Sequence, residues 1–147
     1  KLGSAREKKS VVAWPNYSEP EQKQQKTIGM FDQSADHFVE RNGLKFAGTH
    51  LIIDLWGAKN VDDIALMERA MREAVQVAGA TLLHIHLHHF TPNNGISGVA
   101  VLAESHISVH TWPERGFAAF DIFMCGDAKP HKAIKVLRKH FAPTQIV

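Results

Sequence analysis

Cysteine is almost absent from the 147-residue chain, which contains Cys125 alone. A single cysteine excludes an internal disulfide framework and a zinc site built from several cysteines. Long hydrophobic runs are absent too, since no apolar stretch approaches the roughly 18 residues of a membrane-spanning helix. The polar N-terminus also lacks the apolar core of a signal peptide. These absences predict a soluble cytoplasmic protein with no membrane partner.

The net charge is small, at +2 from 17 basic and 15 acidic side chains. The excess lies in residues 1–46, where eight Lys and Arg stand against six Asp and Glu, whereas residues 47–147 carry nine of each. The basic residues are interspersed with Glu and Gln and do not form a basic face, so we expect no nucleic-acid partner. The composition predicts a polar, flexible N-terminal arm over residues 1–46 and one domain over residues 47–147.

Hydrophobic periodicity gives the order of elements in the domain. Alternation of apolar and polar residues predicts strands at 49–56, 81–90, 99–103, 107–111, 117–124 and 144–147. Helical spacing predicts a helix over 61–78, a second helix from Pro130 and a short one at 32–39. We therefore expect an α/β (α+β) fold, a two-layer sandwich with a mainly antiparallel sheet and helices packed on one face.

Lysine is scarce in the domain, where Lys59 is the only one between Phe46 and Gly126. A pyridoxal phosphate enzyme needs a lysine for its Schiff base, and no glycine-rich phosphate loop is present. Pyridoxal phosphate is therefore not expected. Cys125, at a strand end, fits either a small buried hydrophobe or a nucleophile paired with a histidine.

Histidine, by contrast, is abundant, with 10 in the chain and seven of them between His50 and His110. His84, His86 and His88 share one face of a predicted strand, a spacing compatible with metal ligation. No acidic cluster nearby in sequence completes such a site. We favour polar residues on the solvent or interface side of a half-buried strand, leave His89 without a role, and expect no metal.

Nucleophilic and acid–base groups concentrate in residues 97–114, with hydroxyls at 97, 105 and 108 and imidazoles at 106 and 110. The motifs in this segment are Ser-Gly, Glu-Ser-His and His-Thr-Trp-Pro-Glu, and Cys-Gly follows at the end of the next predicted strand. Together they resemble the bacterial and archaeal S-adenosylmethionine decarboxylase proenzyme family, over about residues 48–141.

The resemblance implies self-cleavage between residues 104 and 105. The hydroxyl of Ser105 would attack the carbonyl of Glu104 and convert the peptide bond to an ester. Removal of the Ser105 α-proton, with His110 as base, would expel Glu104 as a carboxylate. The remaining dehydroalanine would hydrolyse to a pyruvoyl group and ammonia. Ser97 matches the serine that assists this processing.

The resemblance also implies roles in turnover. The pyruvoyl group formed from Ser105 would be the cofactor and electron sink, with no pyridoxal phosphate and no metal. Cys125 would return a proton to the substrate carbon, Glu114 would bind the ribose and Phe90 would stack on the adenine. The implied protein is a homodimer that decarboxylates S-adenosylmethionine to the aminopropyl donor for spermidine biosynthesis. Two alternatives stay open: the same chemistry on L-arginine or L-ornithine, and a processing-deficient homologue that regulates a catalytic partner.

Overall fold

The computed structural model describes residues 38–147. They begin with a hairpin of two short antiparallel strands, β1 (Val39–Arg41) and β2 (Leu44–Phe46). This hairpin lies within the N-terminal arm predicted from composition. The helix predicted at 32–39 falls outside the described residues except at its end, where Val39 begins β1. The boundary between arm and domain at residue 46 stays a prediction.

One antiparallel sheet of six strands forms the body of the described structure. In chain order its strands are β3 (Gly48–Trp56), β4 (Leu82–His89), β5 (Ile96–Leu102), β6 (Ser105–Trp112), β7 (Phe117–Cys125) and β8 (Gln145–Ile146). Their order across the sheet is β4-β5-β6-β7-β3-β8. β3, β6 and β7 therefore lie side by side, and β4 and β8 form the two edges.

The first helix, α1 (Ile64–Ala78), starts later than the predicted residue 61. Its N-cap is Asp63, whose carboxylate accepts a hydrogen bond from the Leu66 N–H at 2.8 Å. Either Asn60 or Asp62 was expected in that role, and both lie too early in the chain for this geometry. Gly79 ends the helix with φ 78°, the left-handed stop that glycine permits.

The second helix, α2 (Ala133–Phe141), follows a 3-10 turn at Pro130–Lys132. A second 3-10 turn, Pro113–Arg115, joins β6 to β7. Both helices pack on one face of the sheet, where they bury an apolar core together with alternate strand residues such as Leu55 and Phe120. The predicted fold class is confirmed.

The other face of the sheet is not covered by any helix among residues 38–147, and we call it the open face. It carries the alternate residues of each strand, as the predicted alternation in β3 required: Ile53 is buried and Ile52 is 75% exposed. Histidines, hydroxyl groups and several exposed apolar side chains occupy this face. No helix in the described part of the chain is long and apolar enough to cross a membrane.

Candidate active site at the Glu104–Ser105 bond

A tight turn presents the Glu104–Ser105 bond at one end of the sheet. Leu102 and Ser105 are the last paired residues of β5 and β6, so Ala103 and Glu104 alone form the connection. Glu104 has φ 56°, a left-handed conformation that costs a non-glycine residue of the order of 1–3 kcal/mol. The sequence predicted a break of three residues, 104–106, between the two strands. The break is shorter in the structure, since Ser105 and His106 already belong to β6.

Cys125 contacts both sides of this bond. It is the last residue of β7, the neighbour of β6, and is partly buried. Its main-chain N–H donates a hydrogen bond to Ser105 Oγ at 3.0 Å, and its thiol donates one to the Glu104 carbonyl oxygen at 2.9 Å. The second contact polarises the carbonyl, and the first holds the hydroxyl next to it. Both the Ser105 hydroxyl and the Glu104 carbonyl oxygen are therefore bound by Cys125.

Ser97 and His110 form a second pair, farther along the same strands. They are directly opposite in the β5–β6 ladder, and Ser97 Oγ lies 2.9 Å from His110 Nδ1. His110 is exposed on the open face. It lies five residues beyond Ser105 on a continuous strand, which corresponds to roughly 16 Å at about 3.3 Å per residue. Within one chain this imidazole does not reach the Glu104–Ser105 bond.

Glu114 and Phe90 lie still farther from the turn at Ala103 and Glu104. Glu114 follows the end of β6 in the 3-10 turn, and Phe90 follows the end of β4. β4 and β6 both run antiparallel to β5, so their ends lie at the same side of the sheet. Phe90 is 44% exposed, and its ring packs edge-on against His88 with centroids 4.5 Å apart.

Glu114 borders an open cleft of about 460 Å³ at that end. The cleft is lined by Trp56, Trp112, Glu114, Arg115 and Phe117. The ring of Phe117 lies between the two indoles, with centroids 4.4 Å from Trp56 and 5.4 Å from Trp112. The surface thus combines aromatic rings with a carboxylate and a guanidinium.

Comparison with known proteins identifies the family. The family model described as S-adenosylmethionine decarboxylase matches residues 49–147. The chain belongs to the S-adenosylmethionine decarboxylase family. Its predicted family membership and its prediction as an enzyme are thereby confirmed.

Two curated relatives and one solved structure support this membership. The S-adenosylmethionine decarboxylase proenzyme of Thermomicrobium roseum is 46% identical over 104 residues, which cover 70% of this chain and 90% of the relative. That of Methanococcus maripaludis strain C7 is 46% identical over 106 residues, covering 70% and 86%. The crystal structure of the adenosylmethionine decarboxylase from Aquifex aeolicus matches with a TM-score of 0.61 and 34% identity, covering 69% of this chain and 85% of that one.

The structure of this S-adenosylmethionine decarboxylase family member contains a cluster on the open face that the sequence did not predict. It is formed by His50, His106 and Asp121. His50 Nε2 lies 2.7 Å from one Asp121 carboxylate oxygen, and His106 Nε2 lies 2.8 Å from the other. Partial burial raises the pKa of Asp121, but the hydrogen bonds to His50 and His106 outweigh it and hold that pKa below its usual range. The alternation of β3, β6 and β7 put these residues on one face, but only the strand order makes them neighbours.

The histidine run His84, His86 and His88 lies on the edge strand β4, away from that cluster. Across the β4–β5 ladder these residues oppose Val101, Val99 and Ser97. The run is exposed, as expected for polar residues on a half-buried strand. Within the described residues, the potential metal-ligand group consists of His50, His106 and Asp121, and the run is not part of it.

Proposed function

We propose that the chain is a self-processing, pyruvoyl-dependent decarboxylase of S-adenosylmethionine, and that its product is the aminopropyl donor for spermidine biosynthesis. The proposal rests on one observation in a chain of this family: Cys125 donates hydrogen bonds to both the Ser105 hydroxyl and the Glu104 carbonyl oxygen. The curated relatives described above are named S-adenosylmethionine decarboxylase proenzymes, which favours this substrate over arginine or ornithine. Their name also favours an enzyme over a non-catalytic regulator. The cytoplasmic location stays a prediction.

Processing begins with attack of Ser105 Oγ on the Glu104 carbonyl carbon. The peptide nitrogen becomes the free amine of residue 105, and an ester replaces the amide. The Cys125 thiol stabilises the oxyanion of the addition step, because it already donates to that carbonyl oxygen. A base then removes the Ser105 α-proton, Glu104 leaves as a carboxylate, and hydrolysis of the dehydroalanine releases ammonia and leaves the pyruvoyl group.

The residues around position 105 fit a pyruvoyl group, since it would begin β6 beside the thiol of Cys125. The group supplies an electrophilic carbonyl that withdraws electrons from the substrate amino acid as CO₂ leaves. Cys125 then donates its proton to the substrate carbon. Glu114 hydrogen-bonds the ribose hydroxyls, while Phe90 packs on the adenine.

A second copy of the chain supplies the base. His110 lies roughly 16 Å from Ser105 in its own chain, as the strand rise requires. In a two-fold dimer each surface patch meets its counterpart, so Ser105 of one chain can meet His110 of the other and the reverse also holds. Packing the open faces together would also bury exposed apolar side chains there, including Ile52, Trp56 and Val101.

Mixing two inactive variants tests both the self-cleavage and the shared site. A Ser105→Ala chain lacks the nucleophile and a His110→Ala chain lacks the base, so each should stay whole when expressed alone. Co-expressed with different affinity tags and purified through both tags, they form mixed dimers. One of the two sites then combines Ser105 and Cys125 from one chain with His110 from the other.

The expected result is cleavage of the His110→Ala chain into fragments 1–104 and 105–147, while the Ser105→Ala chain stays whole. Mass spectrometry should find a carbonyl on the smaller fragment, and the mixed protein should release CO₂ from S-adenosylmethionine but not from arginine or ornithine. Mixed dimers that stay whole, or His110→Ala protein that cleaves alone at the normal rate, would contradict the shared site. A cleaved protein that releases CO₂ only from arginine or ornithine would contradict the substrate.

A further inference from the structure

The cluster of His50, Asp121 and His106 has no role in the proposed reaction. These residues come from three adjacent strands, β3, β7 and β6. Both histidines are opposite Phe123 in their ladders, one on each side, and both imidazoles reach diagonally to the carboxylate of Asp121. The cluster therefore brings together residues that are up to 71 positions apart in the chain.

Phe123 holds the two imidazoles in place. The His106 ring stacks on it with centroids 5.9 Å apart and an interplanar angle of 25°, and the His50 ring meets it edge-on at 5.8 Å. The two rings are thus positioned by a side chain that makes no polar contact of its own. One ring nitrogen of each histidine and a carboxylate oxygen of Asp121 all lie within 4.8 Å of one another.

We propose that His50, His106 and Asp121 form a binding site for a divalent transition-metal ion such as Zn²⁺, Co²⁺ or Ni²⁺. Two imidazoles and one carboxylate are donors that these ions bind in proteins, whereas Mg²⁺ and Ca²⁺ prefer oxygen ligands. Ligand bonds of about 2.0–2.1 Å at tetrahedral angles would place the donor atoms roughly 3.4 Å apart. Small side-chain rotations close the remaining gap, and water completes the coordination.

The three groups can turn to a common ion. The Nε2 atoms that face Asp121 bind the ion in place of the carboxylate contact when the ring proton is on Nδ1. The side chains are accessible in the single chain, with 50% exposure for His50, 43% for His106 and 35% for Asp121.

Cobalt binding tests the site in the full-length Ser105→Ala chain, which should stay whole and therefore does not depend on the proposed reaction. We expect one Co²⁺ per chain, with visible absorption bands of low-coordinate cobalt and a rise in the thermal midpoint. His50→Gln and Asp121→Asn should each weaken binding at least tenfold. The matched control is His84→Gln, an exposed histidine on the same face at the sheet edge, which should leave the affinity unchanged.

Three results would overturn the proposal. One is failure of the parent chain to bind Co²⁺ at stoichiometric concentrations. Another is an equal loss of affinity in the His84→Gln control, which would assign the ion to the histidine run of β4. The third is an intense thiolate-to-cobalt band in the near ultraviolet, which would assign the ion to Cys125. Thermal unfolding without metal checks that each variant is folded, and His106→Gln provides a second independent ligand variant.

Discussion

Replacement of Cys125 by alanine separates the two contacts that this residue makes with the Glu104–Ser105 bond. The thiol donates to the Glu104 carbonyl oxygen at 2.9 Å, and the main-chain N–H donates to Ser105 Oγ at 3.0 Å. Cys125→Ala removes the first contact and keeps the second, because the second uses the backbone. Any change in the rate of self-cleavage therefore reports on the thiol.

The size of the effect follows from the charge that develops on the Glu104 carbonyl oxygen. A hydrogen bond to a charged group contributes about 1.5–3 kcal/mol, which corresponds to roughly 10- to 150-fold in rate at 1.4 kcal/mol for each factor of ten. A thiol is a weak donor, so the lower end applies. We expect Cys125→Ala to cleave about tenfold more slowly than the unaltered chain.

The assay follows the disappearance of the full-length chain and the growth of fragments 1–104 and 105–147 on denaturing gels. Cys125→Ser is the matched control: its hydroxyl keeps a donor at this position, so cleavage should be faster than in Cys125→Ala. Both variants should lose most decarboxylation, because neither side chain replaces the thiol as proton donor. Cleavage of Cys125→Ala at the normal rate would refute a role for the thiol in processing.

Two further predictions concern stability. The hydrogen bond to His140 lowers the pKa of Glu73. The ionised Glu73 carboxylate therefore stabilises the folded chain above its usual pKa of 4.5, and this contribution is lost as the pH falls below that value. The difference in thermal midpoint between Glu73→Gln and the unaltered chain should shrink on acidification, and a constant difference would contradict this. Thr111→Val removes the hydroxyl that accepts the Ile96 N–H at 2.8 Å in a buried position. It should destabilise the fold by about 1–3 kcal/mol in chemical denaturation, whereas exposed Thr81→Val should change little.

Periodicity predicted those parts of the fold in which neighbouring residues decide the structure. The alternation in β3 put Ile53 and Ile52 on opposite faces, and the structure buries Ile53 and exposes Ile52. Gly79 was expected to end α1, and its φ of 78° agrees. The cap at Asp63 was missed because Asn60, Asp62 and Asp63 can each cap a helix, and only the packing of the first turn selects one.

The turn between β5 and β6 shows a different limit of sequence reasoning. Polar residues at 104–106 break the apolar alternation, so the pattern predicted an interruption of that length. In the structure the interruption is Ala103 and Glu104, because the backbone ladder of β5 and β6 continues to the pair Leu102–Ser105 whatever the polarity of the side chains. The partly buried serine is positioned by this ladder.

The candidate site depends on the order of strands in the sheet, which no local pattern contains. A motif that is compact in sequence becomes extended on a strand, so Ser105 and His110 are separated by roughly 16 Å although they are only five positions apart in the chain. The contacts arise between strands instead: Ser105 with Cys125, 20 positions away, and Ser97 with His110, 13 positions away. Residues grouped in one motif thus lie at two different places along β6, and the reaction proposed for them requires two chains to meet.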